Sequence, residues 1–150
     1  MTTGISALPF LKIAVNENER REAIALLQQH QLPTSDIDRD KLLYLLYKGV
    51  KVIGTAGLEI FEDCALLRSV SVIKKEQGKG FGRIINAGIE KFVKESGINC
   101  LYLITTSAKD FFDKLGYGAI KREDSPLAIK QTAEFTSLCP STAIVMKKII

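Results

Sequence analysis

The chain has no tryptophan, a single histidine, three cysteines and four prolines in 150 residues, and no apolar run near the roughly 20 residues that cross a bilayer. Each shortage removes a class of function. His30 lies in a helical stretch, remote in sequence from other reactive groups. A Ser-His-Asp or Cys-His device would have to use it, and an imidazole-based metal centre would have one such ligand at most. Cys64, Cys100 and Cys139 are odd in number and widely spaced, with no C-x-x-C pair. That pattern suits neither a disulfide framework nor a cysteine zinc site, so reduced thiols and no metal are expected. Cys139, without a histidine nearby in sequence to activate it, reads as a buried or cleft-lining thiol rather than a nucleophile. The opening MTTGISALPF has no basic lead, and Gly4, Ser6 and Pro9 break its apolar residues, unlike a signal peptide. A cytoplasmic protein with no membrane partner is the expectation.

What is present is ordinary globular composition. Hydrophobic residues make up 46% and charged residues 25%, with no repeat, linker or low-complexity stretch, so a single domain over 1–150 is expected. The formal charge of +4 and pI near 9.0 are compatible with a nucleic-acid partner. Basic and acidic residues nonetheless alternate everywhere except around one glycine-rich turn and the extreme C-terminus. A local acidic ligand explains the charge, and no nucleic acid is expected.

Residues 10–15 (FLKIAV) form a candidate first strand. Asn16 and Glu19 have capping-box spacing ahead of a helix with Ala23, Ile24 and Leu27 on one face, ending near Gln31 before Leu32-Pro33. TSDIDRD is a polar connection with room for one helical turn. LLYLLYKGVKVIGTAGLEIF reads as two strands about Lys48-Gly49, the second over 50–61, and Glu62-Asp63 turns into a third over 64–72. After a helix from about Phe81, NCLYLIT (99–105) has the apolar density of a strand buried on both faces, parallel to its neighbour. Ser107 is placed to cap a short helix over 108–115, residues 117–121 suit a strand, Ser125-Pro126 starts a helix to about Phe135, and 141–149 closes the sheet. The expected class is α+β, or mixed α/β, with one central mixed sheet, antiparallel at its N-terminal end and flanked by helices.

The organising stretch is KKEQGKGFGRIINAGIEKFVKESG, residues 74–97. Gly78, Gly80 and Gly82 let the backbone approach a bound group closely, and a helix beginning near Phe81 aims its unpaired N–H groups into the same turn. Lys74, Lys75, Lys79 and Arg83 add positive potential, as a phosphate or pyrophosphate requires. The alternative is a tight surface turn with a solvated basic helix start. A dinucleotide fold would place the glycines after the first strand of a βαβ unit, and a P-loop would need Gly-Lys-Ser/Thr, so neither pattern fits.

QGKGFG at 77–82 matches the pyrophosphate-loop pattern Q/R-x-x-G-x-G/A of the GCN5-related N-acetyltransferase (GNAT) superfamily, and AKDFFDKLGY at 108–117 is similar to its second recurrent motif, A-x-x-F-Y-x-x-L-G-F. The two stand at the superfamily's separation, and the resemblance covers nearly the whole chain. More narrowly, GLEIFEDCALLRSVSV, LYLITTSAKDFFDKLGY and TAEFTSLCPSTAIVMKK resemble the arsenic-resistance acetyltransferases of the second ArsN type. The superfamily resemblance implies an acetyl-CoA-dependent N-acetyltransferase, direct attack by a small primary amine, no metal, and a homodimer as the common assembly. The narrower one implies an amino-acid-like or arsenic-containing acceptor.

The same resemblance assigns roles. Backbone N–H groups of Gln77, Gly78, Lys79, Gly80, Phe81, Gly82 and Arg83 would hold the pyrophosphate. Val70, Ser71 and Val72 would bind the pantetheine arm as a further strand, with an N–H near Val70 polarising the thioester carbonyl. An amine attacks only when neutral, so a carboxylate acting through water is wanted as base, with Glu59 first and Glu134 second. Arg68 sits in an apolar strand and needs an anionic partner, either a substrate carboxylate or oxyanion or Glu59 itself. Thr105 and Thr106 end the buried strand where hydroxyls can meet substrate, while Ser107 reads as a helix cap. Phe112 stands against the cofactor where the superfamily often has the tyrosine that protonates the leaving thiolate. Its missing hydroxyl supports an alternative, a CoA-binding sensor or interaction domain; a further alternative keeps the enzyme and makes the acceptor a protein or polyamine amine.

Overall fold

A computed structural model describes residues 8–150; the reading of the first seven residues as part of a non-signal leader lies outside them. Among the described residues one seven-stranded sheet runs in the order β1-β2-β3-β4-β5-β7-β6, flanked by helices, the mixed α+β class expected from the sequence. The strands are β1 (Phe10–Ile13), β2 (Leu42–Lys48), β3 (Lys51–Ile60), β4 (Ala65–Val72), β5 (Cys100–Thr105), β6 (Gly118–Ile120) and β7 (Ile144–Ile149). The helices are α1 (Glu17–Gln29), α2 (Phe81–Glu95), α3 (Lys109–Lys114) and α4 (Leu127–Lys130). By packing, the chain divides into two compact units: residues through Gly57 together with Ser69–Ile89, and Leu58–Arg68 together with Glu90–Ile150.

In the first unit, α1 starts where a reciprocal cap fixes it. Asn16 Oδ1 accepts from Glu19 N–H at 2.8 Å, while Glu19 Oε1 accepts from Asn16 N–H at 3.2 Å. The helix buries Ala23 and Leu27 against Leu43, Leu45 and Val52 of β2 and β3. β1 pairs antiparallel with β2, Phe10 opposite Tyr47, their rings stacked at 5.2 Å. The polar connection after α1 contains turns but no helical turn, which corrects that expectation. Its shape comes instead from Arg20, whose guanidinium donates to the carbonyls of Asp38 (2.7 Å) and Lys41 (3.2 Å). Helix α2 lies tight on this unit: a Cβ on Gly54 would stand 2.8 Å from the Ser71 carbonyl oxygen and 3.1 Å from Ile85 Cδ1.

β4 is not a regular strand. Ser69 has φ +58°, a left-handed conformation unusual for a residue with a side chain. The irregularity is held from β3, where the Thr55 hydroxyl lies 2.8 Å from the Ser69 carbonyl and 2.7 Å from Ser71 Oγ.

In the second unit β5 is the central strand. It pairs parallel with β4 over Ala65–Leu67 opposite Leu101–Leu103, and antiparallel with β7 along its full length. Cys100, Leu101, Tyr102 and Leu103 are accordingly buried, as the apolar density of the segment predicts. The core contains Cys64, Leu66, Tyr102, Ile129 and Val145, with Phe61, Ile104 and Phe135 packed around them. All three cysteines are free, and burial pushes the Cys64 thiol up to about 11.

Two expectations need correction here. Ser107 does not cap α3. No side chain caps it; Thr105 Oγ1 instead closes the turn ahead of the helix, accepting from Ser107 N–H (3.3 Å) and Ala108 N–H (2.9 Å). Thr105→Ala, which removes that turn hydrogen bond, should therefore lower stability by about 1 kcal/mol and Ser107→Ala by a few tenths at most, read by chemical denaturation of the two variants side by side. The helix expected from Ser125 to about Phe135 is also broken up. Residues Arg122–Asp124 form a 3-10 turn, α4 stops at Lys130, and Glu134–Leu138 is a π-helical turn. The Thr132 hydroxyl interrupts the α-helical course by donating to Ile129 O (2.7 Å) and accepting from Phe135 N–H (3.2 Å).

Candidate active site

The glycine turn belongs to the first unit and is built by sequence-local geometry. After β4, Lys74–Glu76 makes a 3-10 turn, and Gly78 (φ +78°) and Gly80 (φ +91°) then reverse the chain into α2. Both conformations are barred to ordinary side chains. Phe81, Gly82 and Arg83 precede the first helical hydrogen bond, from Ile84 N–H to Gly80 O. Their N–H groups have no partner within the helix and stand at the positive end of its dipole. Gln77 is a brace for this turn: its side-chain amide donates to Val72 O at 2.9 Å, and its backbone N–H to Lys74 O at 3.2 Å.

The lysines around the turn are not simply arrayed toward a ligand. Glu76 is buried beneath them and accepts from Lys79 Nζ (3.1 Å) and Lys48 Nζ (3.4 Å). Its hydrogen bond to Lys79 is the main reason its carboxyl lies below the usual range, so the lock is ionised at neutral pH. Lys48 also stands 5.6 Å over the Phe81 ring. Neither Glu76 nor Lys48 was singled out from the sequence. Their pairing spans 28 residues, a separation over which no local sequence signal acts. Of the strand residues expected to bind the pantetheine arm, Val70 and Val72 are half-buried, and Ser71 is buried with its hydroxyl on Thr55.

The second unit carries a buried ionic cluster. The Arg68 side chain is 1% exposed. Its Nη1 donates to Glu59 Oε2 at 2.9 Å, and Nη2 lies 3.7 Å from Glu134 Oε2. The structure thus brings together three of the five residues nominated for base and substrate roles, from β3, β4 and the π-helical turn. The pair between Arg68 and Glu59 was one of the two partnerships the sequence left open; Glu134 as a second partner was not foreseen. Two buried carboxylates thus share one guanidinium, which offsets part of the cost of burying them.

The remaining nominated residues are distributed. Thr105 has its hydroxyl engaged by the Ala108 amide in the turn before α3, Thr106 is exposed, and Phe112 is buried with its ring edge-on to Phe111 (5.0 Å) and Tyr117 (5.4 Å). Tyr117 is buried as well, and burial raises its phenol well above the usual range. Among the described residues no three His, Cys, Asp or Glu side chains cluster as metal ligands do. No helix there is long and apolar enough to cross a membrane.

A mixed sheet whose fourth strand leads through a glycine turn into a helix is an acetyltransferase architecture. The chain belongs to the acetyltransferase (GNAT) family, whose model matches residues 9–117. Among curated relatives, the uncharacterized N-acetyltransferase CT2212 of Chlorobaculum tepidum is 32% identical over 84 residues, covering 55% of this chain and 53% of its own. The chain therefore spans about half the length of that relative. Two solved structures share the fold. One is N-acetylglutamate synthase from Neisseria gonorrhoeae, complexed with coenzyme A and L-arginine (TM-score 0.79, 16% identity, 96% of this chain and 34% of that one). The other is a GNAT-family acetyltransferase from Staphylococcus aureus (TM-score 0.72, 20% identity, 93% and 99%).

Proposed function

We propose that the protein transfers the acetyl group of acetyl-CoA to the primary amine of a small, amino-acid-like acceptor by direct attack. The glycine turn holds the pyrophosphate through the N–H groups at the start of α2. The amine nitrogen bonds to the thioester carbonyl carbon, the C–S bond breaks, and the amine's surplus proton passes to a carboxylate, directly or through water. CoA leaves as a thiolate, a tolerable leaving group without the tyrosine hydroxyl that Phe112 lacks. The observation that carries the acceptor reading is the buried cluster of Glu59, Arg68 and Glu134, which offers carboxylates to an ammonium and a guanidinium to a neighbouring anionic group. An anionic group bound at Arg68 would compete with Glu134, whose Oε2 lies 3.7 Å from Nη2. The narrower resemblance points to an arsenic-containing antimetabolite as one such acceptor.

The test is release of CoA from acetyl-CoA with amino acids, their phosphinic and arsinic analogues, aminoglycosides, polyamines and N-terminal peptides. Turnover is expected with acceptors that carry an anionic group beside the amine. Folded protein that binds acetyl-CoA yet releases no CoA with any acceptor overturns this reading and favours a CoA-binding sensor. Turnover confined to polyamines or peptides replaces the acceptor class.

A further inference from the structure

We propose that Arg122 is the positioning residue that sets the carboxylate of Glu134. The inference rests on the reading above, in which Glu134 is one of the two carboxylates serving the acceptor amine.

A π-helical turn is an unfavourable local choice, frequent at functional sites, and persists only where its surroundings hold it. Here Cys139 N–H closes the wide ring on Glu134 O at 3.0 Å. Sequence-local hydroxyls help: Thr132 Oγ1 accepts from Phe135 N–H at 3.2 Å, and Thr136 Oγ1 donates to Thr132 O at 3.0 Å. The long-range restraint is Arg122, in the 3-10 turn before α4. One guanidinium donates through Nη2 to Phe135 O (3.1 Å) and through Nη1 to Ala143 O (3.2 Å), and lies 4.1 Å over the Phe135 ring. It therefore fixes the residue after Glu134 by both backbone and side chain, and ties that residue to the segment entering β7.

Glu134 is itself buried, with Oε2 at 3.7 Å from Arg68 Nη2. The planar fork and the stacked face are both in use, so lysine cannot substitute for Arg122. Arg122 does not touch Glu134 in this arrangement; it acts through the turn.

The experiment is a double-mutant cycle on the whole protein, with Arg122→Lys, Glu134→Gln and the pair, using acetyl-CoA and the best acceptor of the panel. Arg122→Lys is expected to lower kcat about ten- to a hundredfold, as small misplacements of a reacting group do. Acetyl-CoA affinity should stay within about twofold. In the Glu134→Gln background the same change should cost less than about threefold. The acidic limb of the kcat/KM profile should move in Arg122→Lys as it does in Glu134→Gln. Phe135→Leu, which removes only the ring, is the second variant should Arg122→Lys fold poorly, with the same sign and a smaller effect. An equal loss in both backgrounds, or a lowered Tm with kcat intact, overturns the proposal. Wild-type turnover by Glu134→Gln instead sinks the reading of Glu134, whatever Arg122 does.

Discussion

Gly80→Val should weaken acetyl-CoA binding by about a hundredfold, whereas Lys79→Ala should change it by less than about threefold, both read by calorimetric titration. The reason for the first is backbone conformation. At φ +91° a β-branched residue is strained, and the strain is relieved by moving the N–H groups that follow. No protein atom lies within 4 Å of a Cβ built at Gly80, so the valine meets open space in the protein and the loss is of ligand, not of packing. A loss of about 2.7 kcal/mol corresponds to that hundredfold. Lys79 is the weaker position because its ammonium is already paired with Glu76 at 3.1 Å. If the alanine variant loses more affinity than the valine variant, charge rather than backbone defines this site.

Arg68→Met should be strongly destabilising, by about 3–5 kcal/mol, because it removes the guanidinium that the buried Glu59 and Glu134 share. For a chain of this length that is a fall in Tm of very roughly 6–20 °C. Replacing the whole cluster with Glu59→Leu, Arg68→Met and Glu134→Leu should recover much of the stability, since apolar groups of similar volume need no counterion. It should also abolish turnover. Thermal unfolding of the two variants alongside CoA release decides the matter: a single variant as stable as wild type means that water, not Arg68, neutralises the carboxylates.

Much of this was legible in the sequence where the controlling interactions are local. The Asn16–Glu19 capping box, the strand-turn-strand about Gly49 and the glycine turn into α2 are each decided within a few residues. Arg68 announced a buried ion pair because a guanidinium in an apolar strand has no other tolerable state, and Glu59 nine residues away was near enough to nominate. Where the outcome depends on distant groups, the pattern misled. Residues 126–135 have helical composition, yet Thr132 interrupts the helix locally, and a π-helical turn steadied by Arg122 follows. Glu134 was nominated for its chemistry, but nothing in the sequence tied it to Arg68, 66 positions earlier. The Ser107 cap of α3 does not form, because the hydroxyl of Thr105 at the end of the preceding strand takes the Ser107 and Ala108 amides and sets the turn instead.

The kink at Ser69 has an evolutionary and engineering corollary. Glycine there would release roughly 1–2 kcal/mol of left-handed strain, yet it would lose roughly 0.5–1 kcal/mol to the greater freedom of the unfolded chain. The net gain is small, so folding thermodynamics exerts little pressure against serine. The vulnerable partner is Thr55: valine in its place keeps the shape but deprives the Ser69 carbonyl and the Ser71 hydroxyl of the hydroxyl they share. Segments exchanged with relatives through β3 and β4 should travel as a matched set, with position 55 inherited together with positions 69 and 71.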